Sequence, residues 1–145
     1  MKKILITLAL TAAAGSALAQ STPVGLWKSI DDDGKTEQSA VRITETGGAL
    51  SGKIEKISDP TKADSKCEKC ADERKDKPVQ GMTIIRNARA DSDKVHWEGG
   101  DILDPIDGKV YKLRLKPVDG GKKLEVRGFI GAVLFGRTQT WIRVE

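Results

Sequence analysis

The sequence predicts an all-β fold, an eight-stranded antiparallel barrel in up-and-down order. Three observations predict it. From residue 24 onward, apolar and polar residues alternate at period two in short runs. Gly- and Asp-rich turn signals separate those runs at short intervals. No stretch beyond the first twenty residues carries the period of an amphipathic helix. Eight strands joined in sequence can close on themselves and leave no exposed edge. A Greek-key sandwich is the competing architecture, and it needs longer crossovers than a meander of short hairpins supplies.

The first residues form a separate segment. Met1-Lys2-Lys3 precedes an apolar run from Ile4 to Ala14, and Ala17-Leu18-Ala19 precedes Gln20. A basic start, a short apolar run and an A-x-A end predict a secretory signal peptide cleaved after Ala19. The run is 11 residues long, against roughly 20 for a membrane-spanning helix. Residues 20–145 remain as one domain, with Lys2 and Lys3 gone and the formal net charge reduced from +4 to +2. The expected location is periplasmic or secreted. No later run predicts a transmembrane segment. Lys/Arg and Asp/Glu are interspersed along the chain, a mixed-sign surface that argues against nucleic-acid binding.

The elements follow in order. Val24–Ile30 is the first strand, and Asp31-Asp32-Asp33-Gly34 turns it back. That tetrad lacks the spaced ligands and terminal Glu of an EF-hand loop. Thr36–Thr44 is the second strand and Gly47-Gly48 the next turn. Ala49–Ile57 is the third, with Leu50, Gly52 and Ile54 on one face. Residues 59–78 then form a long polar loop with six Lys/Arg, six Asp/Glu and both cysteines. A loop of that length inside a compact domain is functional or flexible. Val79–Ala88 and Lys94–Leu103 resume the strands, the second with Val95, Trp97 and Leu103 on one face. Asp104-Pro105-Ile106-Asp107-Gly108 is a turn in which Pro presets φ and Gly supplies positive φ. Lys109–Lys116, Lys122–Ile130 and Phe135–Val144 complete the eight. On the last strand Arg137, Gln139, Trp141 and Arg143 share a face, an odd set for a purely apolar core. That face is sensible if the strand closes the barrel against Val24-Gly25-Leu26-Trp27.

Gly25-x-Trp27 with a late arginine, Arg143 or Arg137, resembles the calycin superfamily of lipocalins and fatty-acid-binding proteins. More specifically, the chain resembles a family of uncharacterised bacterial secreted proteins with a lipocalin-like barrel, a domain of unknown function. The matching pieces are Gly25-x-Trp27, Cys67-x-x-Cys70, Trp97-x-Gly-Gly-x-Ile-x-Asp104-Pro105-x-x-Gly108-Lys109-x-Tyr111, Arg127-Gly128 and Gly136-Arg137-Thr138-Gln139-Thr140-Trp141-x-Arg143. The resemblance implies a lipocalin-like fold and an envelope location, with an arginine packed across the first-strand tryptophan to seal the barrel base. It brings no catalytic set.

The residues themselves supply the site candidates. With Trp27, Trp97, Tyr111 and Trp141 pointing inward, they line one cavity with Arg127, Arg137, Gln139 and Arg143. Aromatic walls with convergent polar groups describe a small-ligand pocket, and interior arginines favour an anionic head group. The alternative is a plugged barrel, its arginines paired with Glu98, Asp101 or Glu125. Cys67 and Cys70 predict a disulfide in an exported chain. A zinc site shared between chains or a redox pair are the other readings. His96, the only histidine, faces away from Trp97, and no nucleophile is tied to it by a motif. Asp101, Asp104 and Asp107 suit turn chemistry first and a polar rim second. There is no cofactor motif and no metal-ligand set. The function expected is a non-enzymatic barrel binding a small amphipathic or anionic molecule, the alternative being an envelope structural or protein-interaction module with a filled interior.

Overall fold

The computed structural model describes residues 21–145; the predicted leader, residues 1–19, lies outside them. The strands are β1 (Gly25–Ile30), β2 (Glu37–Thr46), β3 (Ala49–Ile57), β4 (Thr83–Ala90), β5 (Trp97–Leu103), β6 (Val110–Val118), β7 (Lys123–Phe129) and β8 (Gly136–Arg143). They pair consecutively and antiparallel, and β8 returns to β1, so the barrel is closed. All eight predicted strands are present, with ends shifted by a few residues. The largest shift is at β4, because Val79–Met82 still belongs to the preceding loop and hands Met82 O to Ile54 N at 2.9 Å. No helix among the described residues is long and apolar enough to cross a membrane.

The connections alternate between two ends. The β1–β2, β3–β4, β5–β6 and β7–β8 turns lie at one end; the β2–β3, β4–β5 and β6–β7 turns lie at the other with both chain termini of the barrel. At the second end the interior is filled. Trp27, Val41, Ile43, Leu50, Leu113 and Leu115 are buried there, and Trp97 and Leu124 join them. The closing ladder is short, pairing Trp27 with Arg143 and Lys28 with Ile142. It is extended by Leu26 N donating to Glu145 O and Val144 N to Leu26 O, both at 2.8 Å.

One irregularity decides which residues face inward. Gly99 has φ +77°, and the β5–β6 register slips between Trp97 and Gly100. This bulge reverses the parity downstream, as an inserted residue must. Ile102, not Leu103, is therefore opposite the inward-facing Tyr111. The expectation that Val95, Trp97 and Leu103 share a face fails for that reason, and Val95 itself is an exposed turn residue.

The 59–78 loop is ordered by its own contacts. Asp59 caps a short 3-10 turn at Pro60–Lys62, and Lys66 pairs with Pro78 in an isolated bridge. Cys67 and Cys70 form a disulfide with their Cα atoms 5.4 Å apart, both buried. Arg74 is buried as well: its guanidinium clasps Asp72 at 2.6 Å and donates to Thr83 O at 3.0 Å. The loop lies against the β5–β6 turn, where Gly108 is indispensable. A Cβ there would stand 2.1 Å from Lys69 O, and its φ is +74°.

Candidate functional site

The end of the barrel opposite the filled half holds a cavity of about 840 Å³ that opens between the turns. That volume lies in the range of small-molecule sites. Its walls differ. On β3, β4, β5 and β7 the lining is apolar: Ile54, Ile84, Ile102 and Val126. On β1, β2 and β8 it is polar: Ser29, Ser39 and Gln139, with Trp141 at its base. Ser29 and Ser39 are buried and their hydroxyls lie 2.7 Å apart. Trp141 Nε1 donates to Gln139 Oε1 at 3.0 Å, and Gln139 Nε2 donates to Asp32 Oδ1 at 2.9 Å. The polar groups are thus mutually satisfied, yet the two serine hydroxyls and the Gln139 amide retain lone pairs or protons for a guest.

Of the eight residues nominated from the sequence, the structure brings four to this cavity: Tyr111, Arg137, Gln139 and Trp141. Trp27 and Trp97 are buried among the filled half instead. Trp27 Nε1 donates to Pro23 O at 2.7 Å. Arg143 sits at that same far end, its guanidinium carbon 4.2 Å from the Trp27 ring centre, donating to the carbonyls of Gly121, Val24 and Thr22. Arg127 is not part of the cavity wall. It pairs across the ladder with Thr138, between inward-facing Val126 and Gly128, and donates to Val133 O at 2.8 Å. The three arginines are therefore split between mouth, outer face and base.

Arg137 is the arginine at the mouth, and it is already engaged. Its guanidinium meets Asp32 at 3.2 Å and Asp104 at 2.9 Å and lies 5.9 Å from the Tyr111 ring centre. Partial desolvation opposes its charge, but the two carboxylates outweigh that and raise its pKa above the ordinary value. Arg143 lies on the other side, held below the ordinary arginine value by desolvation alone. The partners expected for a plug are not the ones used: Glu98 pairs with Arg114 on the outer surface. Asp101 lies on β5 between Arg86 and Lys112, with Oδ1 buried and unbonded.

Asp104 and Asp107 serve the turn and the rim together. Asp104 Oδ1 accepts from Ile106 N at 2.8 Å and Asp107 Oδ1 from Lys109 N at 2.7 Å, the Asx chemistry expected of a turn. The other oxygen of each reaches Arg137 and Tyr111. Tyr111 O–H donates to Asp107 at 2.7 Å, and that bond, with burial, pushes the phenol up. His96 bonds Asp93 at 2.6 Å on the β4–β5 turn, at the barrel end away from the cavity. Lys62, Lys66 and Lys69 of the 59–78 loop complete the mouth. Sequence reading missed these lysines and the Ser29–Ser39 pair. The serines do share the parity of Trp27 and Val41, which was the available signal.

A closed eight-stranded barrel, filled at one end and hollow at the other, is the lipocalin-like class. The chain belongs to a family described as "Uncharacterized protein conserved in bacteria (DUF2147)", whose model matches residues 25–143. Among solved structures it is similar to protein HP1028 from Helicobacter pylori, described as belonging to the lipocalin family. The TM-score is 0.72 at 21% identity, over 84% of this chain and 82% of that one. No curated protein matches.

Proposed function

We propose that this chain is an exported, non-enzymatic barrel that holds one small amphipathic molecule in the open-end cavity. The observation that carries the reading is the two-sided lining, apolar on Ile54, Ile84, Ile102 and Val126 and polar on Ser29, Ser39 and Gln139. A guest with an apolar body and a polar edge satisfies both walls. An anionic head is met by lysines and not by the interior arginines. Lys66 and Lys69 line the mouth without an ion-pair partner among the described residues, whereas Arg137 is neutralised by Asp32 and Asp104. The basic, apolar, A-x-A start and the Cys67–Cys70 disulfide support placement in an oxidising compartment outside the cytosol. The distance of His96 from the cavity supports a binding role over a catalytic one. A filled-barrel interaction module accounts for the Trp27 end but leaves the hollow half without a purpose.

Native mass spectrometry of the chain purified from its own source tests this. The expected spectrum carries a small molecule that is released on denaturation and is missing from Val126→Trp, whose side chain enters the cavity. A bare wild-type chain that also takes up neither dodecanoate nor an anilinonaphthalene sulfonate dye would sink the reading.

A further inference from the structure

The β7–β8 turn reads Ile130-Gly131-Ala132-Val133-Leu134-Phe135 and stands at the mouth end of the barrel. Ile130, Leu134 and Phe135 are 65, 80 and 69% exposed, and Ile106 on the adjoining β5–β6 turn is 67% exposed. Single apolar residues scattered on a surface need no explanation, but several on neighbouring turns do. The tip is also built to stay as it is. Arg127 donates to Val133 O and Leu134 O at 2.8 and 3.3 Å. Phe135 N donates to Ala132 O at 2.9 Å and Ile130 N to Phe135 O at 3.1 Å. With the backbone tied down by these bonds, the apolar side chains project outward.

The exposed charge beside the tip is basic. Of the nine Lys/Arg in residues 109–143, Lys116, Lys122, Lys123 and Arg143 lie toward the far end of the barrel and take no part here. Arg137 is paired at the mouth with Asp32 and Asp104, Arg127 is bonded to the tip's own carbonyls, and Arg114 is paired with Glu98. Lys109, just before β6, and Lys112 on β6, the strand beside the tip, are exposed.

We propose that this tip docks the barrel onto an anionic lipid bilayer. Ile130, Leu134 and Phe135 enter the interface while Lys109 and Lys112 face the head groups, the pairing of apolar and basic contacts by which peripheral proteins bind membranes. A protein partner would need carboxylates placed to match fixed cations; here the cations are flexible lysines beside a protruding apolar ridge, which suits a fluid surface. The adjoining β1–β2 turn carries Asp31, Asp32 and Asp33, of which only Asp32 is matched by Arg137. The barrel therefore leans toward its β6–β7 side, with the cavity mouth at the lipid interface. Docking of this kind does not depend on what the cavity holds.

Flotation of the exported chain with phosphatidylcholine–phosphatidylglycerol vesicles, against phosphatidylcholine alone, tests the proposal. The expected result is binding to the anionic vesicles that salt weakens and that pure phosphatidylcholine does not reproduce. Lys109→Glu with Lys112→Glu lowers the partition by about tenfold or more, since each cation near such a surface is worth roughly fivefold. Leu134→Ser with Phe135→Ser abolishes flotation without changing the circular dichroism. In a Phe135→Trp chain the new indole emission shifts to the blue on adding anionic vesicles. Failure of the wild-type chain to float overturns the proposal, as does flotation unchanged by the Ser variants. A tip-dependent dimer in place of vesicle binding also overturns it and makes a second copy the occupant.

Discussion

Arg143 and Trp27 face each other in the closing ladder, and the guanidinium carbon lies 4.2 Å from the centre of the indole. The shortest seam of the barrel is thus clamped by its last strand's arginine. The same group donates to Gly121 O and Thr22 O at 2.5 Å and to Val24 O at 2.8 Å, tying the β6–β7 turn and the segment before β1 to one cation. Arg143→Ala removes the cation–π contact and leaves three carbonyls without their donor. The expected loss is about 3 kcal/mol in urea unfolding. Arg143→Lys restores only part, because an ammonium cannot reach three carbonyls in a fixed fork. A loss below half of that in the Ala variant would mean the seam holds without its clamp.

Gly108→Ala separates loop placement from global stability. The added Cβ would meet Lys69 O at 2.1 Å and Cys70 N at 2.8 Å, both backbone atoms that cannot swing aside, at a residue with φ +74°. The 59–78 loop must therefore lift from the β5–β6 turn. Faster tryptic cleavage at Lys66, Lys69 and Arg74 is the readout, with β-sheet circular dichroism preserved. Unaltered cleavage kinetics would show that the loop is held elsewhere.

The strands, their order and the closing seam were legible because period-two alternation and Gly/Asp turns are local signals. Cavity membership was not, for two physical reasons. Parity gives the face of a residue but not its depth, so Trp27 and Trp97 point inward yet lie in the filled half. A bulge resets parity, and only the positive φ of Gly99 marks where this happens. Arg127 is a different case. The alternation of Leu124, Val126 and Gly128 already placed it outside, and grouping it with the other arginines went against that pattern. Of the loop's internal order, the Cys67–Cys70 clip was legible from the two cysteines, whereas the Arg74–Asp72 pair was not, since that contact has no periodicity.

The Cys67–Cys70 disulfide closes a ring of few residues, so its direct effect is small. Replacing both cysteines with serine is expected to cost about 2 kcal/mol in the chain-entropy account. The two side chains are buried against the β5–β6 turn, with Cys67 Sγ 3.7 Å from Pro105 O. Hydrogen exchange should accelerate in residues 65–78 and at the 104–108 turn, but not in β1, β2 or β8. Faster exchange spread evenly over the barrel would contradict a local clip.

Trp141 is the one tryptophan that lines the cavity. A guest that occupies the cavity should change the emission of Trp141 while leaving Trp27 and Trp97 as they were. Titration with dodecanoate is expected to give a saturable change in the wild-type chain that Trp141→Phe eliminates and Trp97→Phe keeps. The same change persisting in Trp141→Phe would place the guest somewhere other than this cavity.

Stability should fall in acid, and Asp72 supplies part of the reason. Hydrogen bonds from the Arg74 side chain and then from its backbone N–H hold the Asp72 carboxyl at about 2, against 3.8 for an ordinary aspartate. Because the folded value is the lower one, the unfolded chain takes up the proton first. The stabilisation is complete above 3.8 and disappears as the pH falls toward 2. Asp72 is partly exposed, so solvent screening limits its contribution to about 1 kcal/mol. Arg74 is not: its side chain is 7% exposed, and loss of the carboxylate leaves a buried guanidinium with one carbonyl. Asp72→Asn is therefore expected to be less stable than wild type near neutrality and to lose less on acidification, the two unfolding curves converging at the acid end. Parallel curves across that range would show that the Asp72–Arg74 pair does not carry the acid sensitivity.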